Sequence, residues 1–376
     1  MSVKTITKGP FRFDQVGSLL RPESLKQARE QFQEGLIDQA ALTQAEDAAI
    51  REIVDQQLAI GLKAVTDGEF RRSWWHLDFL AGLGGVEAYN QHASYKFHGA
   101  RTRDTNVHFV DKVAYNPNHP FFAAFRFLKE IVPDGIVAKQ TIPSPTLYIR
   151  HNRSENSPKY YASRVDFLTD LAAAYRETIQ RFYDLGCRYL QLDDTTWAFL
   201  IDRLTDAETA EDKAKYQRLA EDSVFVINES IKDRPSDLTI TTHICRGNFR
   251  STFLFSGGYD PVINYLAQLD VDGYFLEYDN ERSGDFTPLN VLAASGSEKK
   301  IVLGLVTSKF AELESESALK ERVKEAAEYV PLANLCLSTQ CGFASTEEGN
   351  KLTEEEQWAK LKLVVDTAQQ IWPNAN

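Results

Sequence analysis

Short runs of apolar and β-branched residues recur along the chain. Between them lie longer stretches whose apolar positions repeat every three or four residues. Eight of the short runs read as buried strands, each stopped by polar or glycine-rich residues. They are FDQVGSL (13–19), KAVTDGEF (63–70), IVAKQTIP (136–143), CRYLQLDD (187–194), LTITTHIC (238–245), GYFLEY (273–278), KIVLGLVTS (300–308) and NLCLSTQCGF (334–343). Segments such as LTQAEDAAIREIVDQQLAIGL (42–62), VDFLTDLAAAYRETIQRFYDLG (165–186) and SALKERVKEAAEYVPLA (317–333) carry the helical period instead. Strand and helix alternate almost throughout, which is the pattern of a parallel sheet. Eight such units predict an α/β fold, a single (β/α)8 TIM barrel over 1–376, with the excess over the usual ~250 residues spent on insertions. An open doubly wound sheet is the competing architecture, but no GxGxxG loop opens the first helix. The irregular stretch 81–135 is long, aromatic and rich in turn residues, so a loop or hairpin inserted after strand 2 and covering the site is expected there. The last periodic segment, QWAKLKLVVDTAQQIW (357–372), is the expected closing helix.

Composition narrows the function classes. The 376 residues are 43% apolar and 26% charged, as in an ordinary globular protein. A net charge of −12 argues against nucleic acid or an anionic membrane as partner. No apolar run is long enough to span a bilayer, and the opening MSVKTITKGPFRFD lacks an apolar signal core, so a cytoplasmic setting is expected. The four cysteines are irregularly spaced and are expected to be reduced there. Cys187 and Cys336 read as small buried hydrophobes, which leaves Cys245 and Cys341 for metal or catalysis.

In such a barrel the chemistry sits at the C-terminal ends of the strands. Those ends carry Gly17-Ser18, Asp67-Gly68-Glu69, Asp193-Asp194, His243 with Cys245, Glu277, Lys309 and Cys341. His243 and Cys245 are two apart, so both side chains leave the same face of a strand and can bind one ion. Glu277 adds a carboxylate and Cys341 a second thiolate. Two sulfurs, one nitrogen and one oxygen suit tetrahedral zinc better than calcium or magnesium, which favour oxygen. Asp279, Glu281 and Asp285 compete with Glu277 for its place. Zinc held by two thiolates is a poor generator of hydroxide. It would instead deprotonate an incoming thiol, and a sulfur nucleophile at neutral pH points to alkyl transfer.

Three stretches, TTHICRGN, YFLEYDNERSGDF and LSTQCGFAS, resemble the zinc motifs of the cobalamin-independent methionine synthase family, in its catalytic C-terminal barrel. The similarity runs from QVGSLLRP through VTDGEFRRSWW and YLQLDDTTWAF to the tail, and extends to the short single-barrel members that lack the duplicated N-terminal half. The resemblance implies His243, Cys245, Glu277 and Cys341 as zinc ligands. It also implies that Ser18, Glu69 and Asp193 hold homocysteine, the two acids pairing its ammonium and Ser18 its carboxylate. The competing readings pair Glu69 with Arg71 or Arg72 and make Asp193 a helix cap, although Asp194 is the better-placed cap. The implied activity is methyl transfer to homocysteine from a methylfolate or a related small-molecule donor; a homodimer is left open. Where the family has a proton-donating histidine after strand seven this chain has Lys309, which can act only if its pKa is lowered. Trp197 and Tyr148 are candidates for stacking on a folate, against a role in the core. Two other functions compete. One is alkyl transfer to another thiol, as in the epoxyalkane:coenzyme M transferases, where Glu69 and Asp193 would have no task. The other is a non-catalytic zinc-binding protein, which needs no polar constellation beside its metal.

Overall fold

The structure, a computed structural model, describes residues 8–90, 96–97, 100–102 and 104–373; positions 91–95, 98–99 and 103 of the expected insertion lie outside the described residues. In chain order the strands are β1 (Phe13–Asp14), β2 (Ala64–Val65), β3 (Gly84–Asn90), β4 (Lys96–Phe97), β5 (Ala100–Arg101), β6 (Thr105–Ala114), β7 (Val137–Pro143), β8 (Tyr189–Asp194), β9 (Thr239–Ile244), β10 (Gly273–Glu277), β11 (Lys300–Val306) and β12 (Leu335–Thr339). Eight of them form one parallel sheet in the order β1-β12-β11-β10-β9-β8-β7-β2. The sheet curls into a nearly closed (β/α)8 barrel, and each of the eight apolar runs supplies one of its strands. Residues of β7, β8 and β9 are buried throughout, as expected of parallel strands covered on both sides.

Strands β1 and β2 hold only two residues each, although their apolar runs are longer. The chain turns early at Gly17 (φ 144°), Gly68 (φ 64°) and Glu69 (φ 63°). Hydrogen bonds from these turns span the seam between β1 and β2: Leu19 N donates to Gly68 O at 3.0 Å and Thr66 Oγ1 to Gly17 O at 2.6 Å. The turns therefore help close the barrel and also expose the residues that follow them at its mouth.

Helices Gln39–Ala59, Arg164–Asp184, Ala210–Ile231, Glu316–Ala326 and Glu354–Ile371 lie outside the sheet. The last begins with a reciprocal Thr353–Glu356 capping box, which satisfies two backbone donors at the helix start. The stretch 81–135 is more regular than its composition suggests. Strands β3 and β6 form an antiparallel ribbon, and β4 and β5 a second, shorter one. Helix Pro120–Ile131 then buries Phe121, Phe122, Phe125 and Leu128. Their three-to-four-residue spacing is helical, but it lies among so many other aromatics that it reads as irregular. Trp197 and Tyr148 are wholly buried, and Tyr148 Oη donates to Leu80 O. Both are core residues, so neither presents a face for a folate. No helix among the described residues is long and apolar enough to cross a membrane.

Candidate metal centre

The mouth of the barrel gathers four ligand-type side chains from three strand ends. His243 lies on β9 and Cys245 follows it, Glu277 ends β10, and Cys341 follows β12. All four are buried, and one ligand atom from each lies within 4.8 Å of the others. Cys245 Sγ and Cys341 Sγ are 3.7 Å apart, and His243 Nε2 and Glu277 Oε1 are 4.0 Å apart. Tetrahedral zinc with Zn–S bonds of ~2.3 Å sets two sulfurs ~3.8 Å apart, and with Zn–N and Zn–O bonds of ~2.1 Å sets nitrogen and oxygen ~3.4 Å apart. The sulfur edge already has that spacing. The nitrogen–oxygen edge is wider, which makes Glu277 the loosest member of the set.

The surrounding groups orient these ligands. A carboxylate only accepts, so His243 Nδ1–H donates to Asp193 Oδ1 at 3.1 Å, and Gln191 Nε2 donates to the same oxygen at 2.7 Å. That leaves Nε2, which is buried and has no hydrogen-bond partner, as the ring atom a cation would take. A cation bound among the two sulfurs and the carboxylate would displace the Nε2 proton and leave the ring neutral. Burial alone would lower the His243 pKa, but Asp193 and the Cys341 sulfur push it up to about 9. The two thiols lie in hydrogen-bond contact, which holds Cys341 below the usual thiol value and, with burial, pushes Cys245 well above it. Glu277 accepts from Arg246 N at 3.0 Å and from Arg282 Nη2 at 2.9 Å. Burial would raise its pKa, but the Lys309, Arg282 and His243 charges hold it below the usual carboxylate range. Of its sequence competitors, Asp279 is tied to Arg282 at 2.9 Å, and Glu281 and Asp285 are exposed.

A small cavity opens directly onto the cluster, lined by Ser18, Glu69, Trp75 and Asp193 together with His243, Cys245 and Cys341. Glu69 is divided between two tasks. Its Oε1 takes Arg72 Nη1 at 3.0 Å and the Thr141 hydroxyl at 2.7 Å, while its buried Oε2 has no partner. Burial outweighs Arg72 and pushes the Glu69 pKa up to about 7. Arg71 instead binds Glu46 at 2.9 Å and Asp47. Asp194 is turned away from the cavity, accepting from Thr196 N at 2.7 Å and from the Thr146 hydroxyl at 2.8 Å. Ser18 is pressed against Gly342, where a Cβ would come within 1.9 Å of the Ser18 hydroxyl. Lys309, after β11, is buried behind this wall, and its Nζ donates to Asn248 Oδ1 at 3.2 Å. The Asn248 amide in turn donates to Gly342 O at 2.8 Å.

The structure thus brings Ser18, Glu69, Asp193, His243, Cys245, Glu277 and Cys341 to one place. Lys309 stands one side chain behind them. Sequence reasoning missed the supporting residues Thr141, Gln191, Asn248 and Arg282 and the cavity-lining Trp75. RGN (246–248) and SWW (73–75) lay beside recognised motifs, but nothing in their spacing marks them out.

Comparison with known proteins agrees with this picture. The model of the cobalamin-independent synthase catalytic domain matches residues 13–370. Two uncharacterized Bacillus subtilis proteins, YxjH and YxjG, are each 46% identical, covering 97% of this chain and 96% of their own. A methionine synthase of Saccharolobus solfataricus is 24% identical over 91% of this chain and 94% of its own. Among solved structures, a candidate vitamin-B12-independent methionine synthase from Listeria monocytogenes is 43% identical, covers 97% of this chain and 99% of its own, and superposes with a TM-score of 0.76. A B12-independent methionine synthase from Shewanella, 18% identical, shares the fold with a TM-score of 0.70 over 97% of this chain and 98% of its own.

Proposed function

The chain belongs to the cobalamin-independent methionine synthase family, matching its catalytic domain, and from that premise we propose a zinc-dependent transfer of a methyl group from 5-methyltetrahydrofolate or a related donor to the thiol of homocysteine. The observation that carries this reading is the adjacency of two features. Four ligand atoms lie within 4.8 Å of one another, and the cavity beside three of them is lined by Glu69, one of whose carboxylate oxygens has no partner.

His243, Cys245, Glu277 and Cys341 would hold zinc, with Asp193 and Gln191 fixing the imidazole and Arg246 and Arg282 fixing the carboxylate. When bound, zinc would deprotonate the substrate thiol and keep it nucleophilic at neutral pH. Glu69 Oε2 and Asp193 pair the substrate ammonium, and the turn at Ser18 receives its carboxylate. Three fixed points orient the sulfur for in-line attack. A sulfur lone pair forms the new S–CH3 bond, the pair of the broken bond stays on the leaving group, and that group then takes up a proton. Lys309, the proton donor that the sequence suggested, stands one side chain behind this site, and its charge keeps Glu277 ionised. A thiol bearing a sulfonate would set a second anion against Glu69 and Asp193, which favours an amino acid thiol.

The test is twofold. Zinc-loaded protein should form methionine from homocysteine when offered methylfolates, methylcobalamin or S-methyl compounds in turn. Cys245→Ser and Cys341→Ser should each lose most of the bound zinc by elemental analysis, and full zinc in both variants would sink the metal assignment.

A further inference from the structure

A second cleft adjoins the metal centre. Trp75 and Cys245 line both spaces, and the far wall of the second carries Trp74, His76, Arg153 and Phe255. Two residues that line it each carry a buried ring nitrogen with no hydrogen-bond partner, Trp74 Nε1 and His76 Nδ1. For His76 the position of the proton follows from its neighbour. Arg153 Nη2 lies 3.0 Å from His76 Nε2, and a guanidinium can only donate. Nε2 therefore accepts, and the proton of a neutral ring must sit on Nδ1. Arg153 is held in turn, its Nε donating to Asn106 Oδ1 at 3.1 Å and its Nη1 to Leu147 O at 3.0 Å. The ring stays neutral because burial and the Arg153 and Arg150 charges hold its pKa well below the ordinary histidine value. Trp75 and Trp74 pack on it with ring centroids at 4.5 and 5.7 Å.

A buried N–H without an acceptor carries the full penalty of an unmade hydrogen bond. Two on one wall, between aromatic rings and two cations, call for a ligand that is flat and supplies acceptors. We propose that Trp74 Nε1–H and His76 Nδ1–H form the hydrogen-bonding wall of the methyl donor's seat, selecting a donor whose leaving group is a planar heterocycle bearing acceptor atoms. This rests on the proposed methyl transfer and names the side chains that recognise its second substrate. As the methyl group moves to sulfur, the electron pair left on the heterocycle makes it a better acceptor, and both bonds strengthen. His76 is a positioning residue here and does not supply the proton, because loss of Nδ1–H from a neutral ring would leave an imidazolate.

The experiment uses zinc-loaded full-length protein, titrated calorimetrically with 5-methyltetrahydrofolate and separately with homocysteine. His76→Phe and Trp74→Phe should each weaken 5-methyltetrahydrofolate binding by about tenfold. His76→Asn, which keeps an N–H near the Nδ1 position, should recover most of the loss. Zinc content and homocysteine affinity should match the parent in all three. In turnover with this donor, KM should rise more than kcat falls, and the pH profile should keep its shape between about pH 6 and 8, because a neutral ring does not titrate there. Equal loss in the Asn and Phe variants, unchanged binding in His76→Phe, or a parallel loss of homocysteine affinity would overturn the wall. A parent that binds homocysteine but not 5-methyltetrahydrofolate overturns the wall and leaves the thiol half of the reaction standing. A parent that binds neither overturns the proposed function itself.

Discussion

The two carboxylate oxygens of Glu69 have different surroundings. Its Oε1 is tied to Arg72 and Thr141, which fixes the carboxyl plane, and its buried Oε2 has no partner, in a residue that lines the cavity. Burial costs the ionised form more than Arg72 returns, so the pKa is pushed up from the ordinary glutamate value to about 7. An ammonium ligand needs the ionised carboxylate. Below the raised pKa the ligand must first displace a proton, and above it the pair forms directly, so affinity should increase as pH rises through the value. Methionine is the cleaner probe, since it has the same ammonium and no thiol proton. Its Kd should fall by roughly tenfold between about pH 5.5 and 7.5 in the parent. Glu69→Gln should flatten that profile and weaken binding about tenfold or more at the upper end, with zinc content unchanged. A parent profile with no slope, measured by calorimetry, would remove Glu69 from the ammonium site.

The elements that matter most are the turns following the strands, and their spacing is tight. Gly342 follows Cys341 and lies against Ser18, so a single turn links the metal cluster to the proposed carboxylate site. Gly342→Ala would drive a methyl group into the Ser18 hydroxyl. The turn or Ser18 must then move, at a cost of about 1–3 kcal/mol in stability. Methionine affinity should fall by tenfold or more while Cys341 still binds zinc, which denaturant melts, titration and elemental analysis would check together. Much of this rim was legible in sequence because parallel strands read as apolar runs, and the reactive side chains stand where those runs stop. His243, Cys245, Glu277 and Cys341 were found in that way. The contacts that orient them were not, because they join residues far apart in the chain through side-chain geometry. Asp193 grips His243 from the neighbouring strand, Arg153 reaches back to His76, and Ser18 meets Gly342 across almost the whole chain. Helix Pro120–Ile131 was hidden for another reason, its phenylalanines being surrounded by unrelated aromatics.

At the scale of the whole molecule, the barrel has a second buried polar centre away from its mouth. Asp14 on β1 pairs with Lys139 on β7 at 3.2 Å, both fully buried, and the Tyr189 hydroxyl of β8 donates to Asp14 at 2.9 Å. Lys139 Nζ also lies over the rings of Phe275 and Tyr189, at 4.2 and 4.8 Å. This centre joins β1 to β7 and β8 across the barrel, whereas the candidate metal ligands lie only at the rim of β9, β10 and β12. The two should therefore fail differently. Stripping zinc with a chelator should abolish methyl transfer and leave far-UV circular dichroism unchanged. The fall in Tm should track the lost binding free energy, about 4 kcal/mol if zinc had been present at a thousand times its Kd, and should be reversed by adding zinc. Lys139→Met should instead leave Asp14 buried without its cation, costing about 3 kcal/mol that zinc does not restore, while zinc stoichiometry stays that of the parent. Calorimetric scans of both proteins with and without zinc separate these outcomes. If the chelated parent loses its circular dichroism signal, the barrel depends on its metal for folding, and the rim cluster is structural rather than a site mounted on a self-sufficient scaffold.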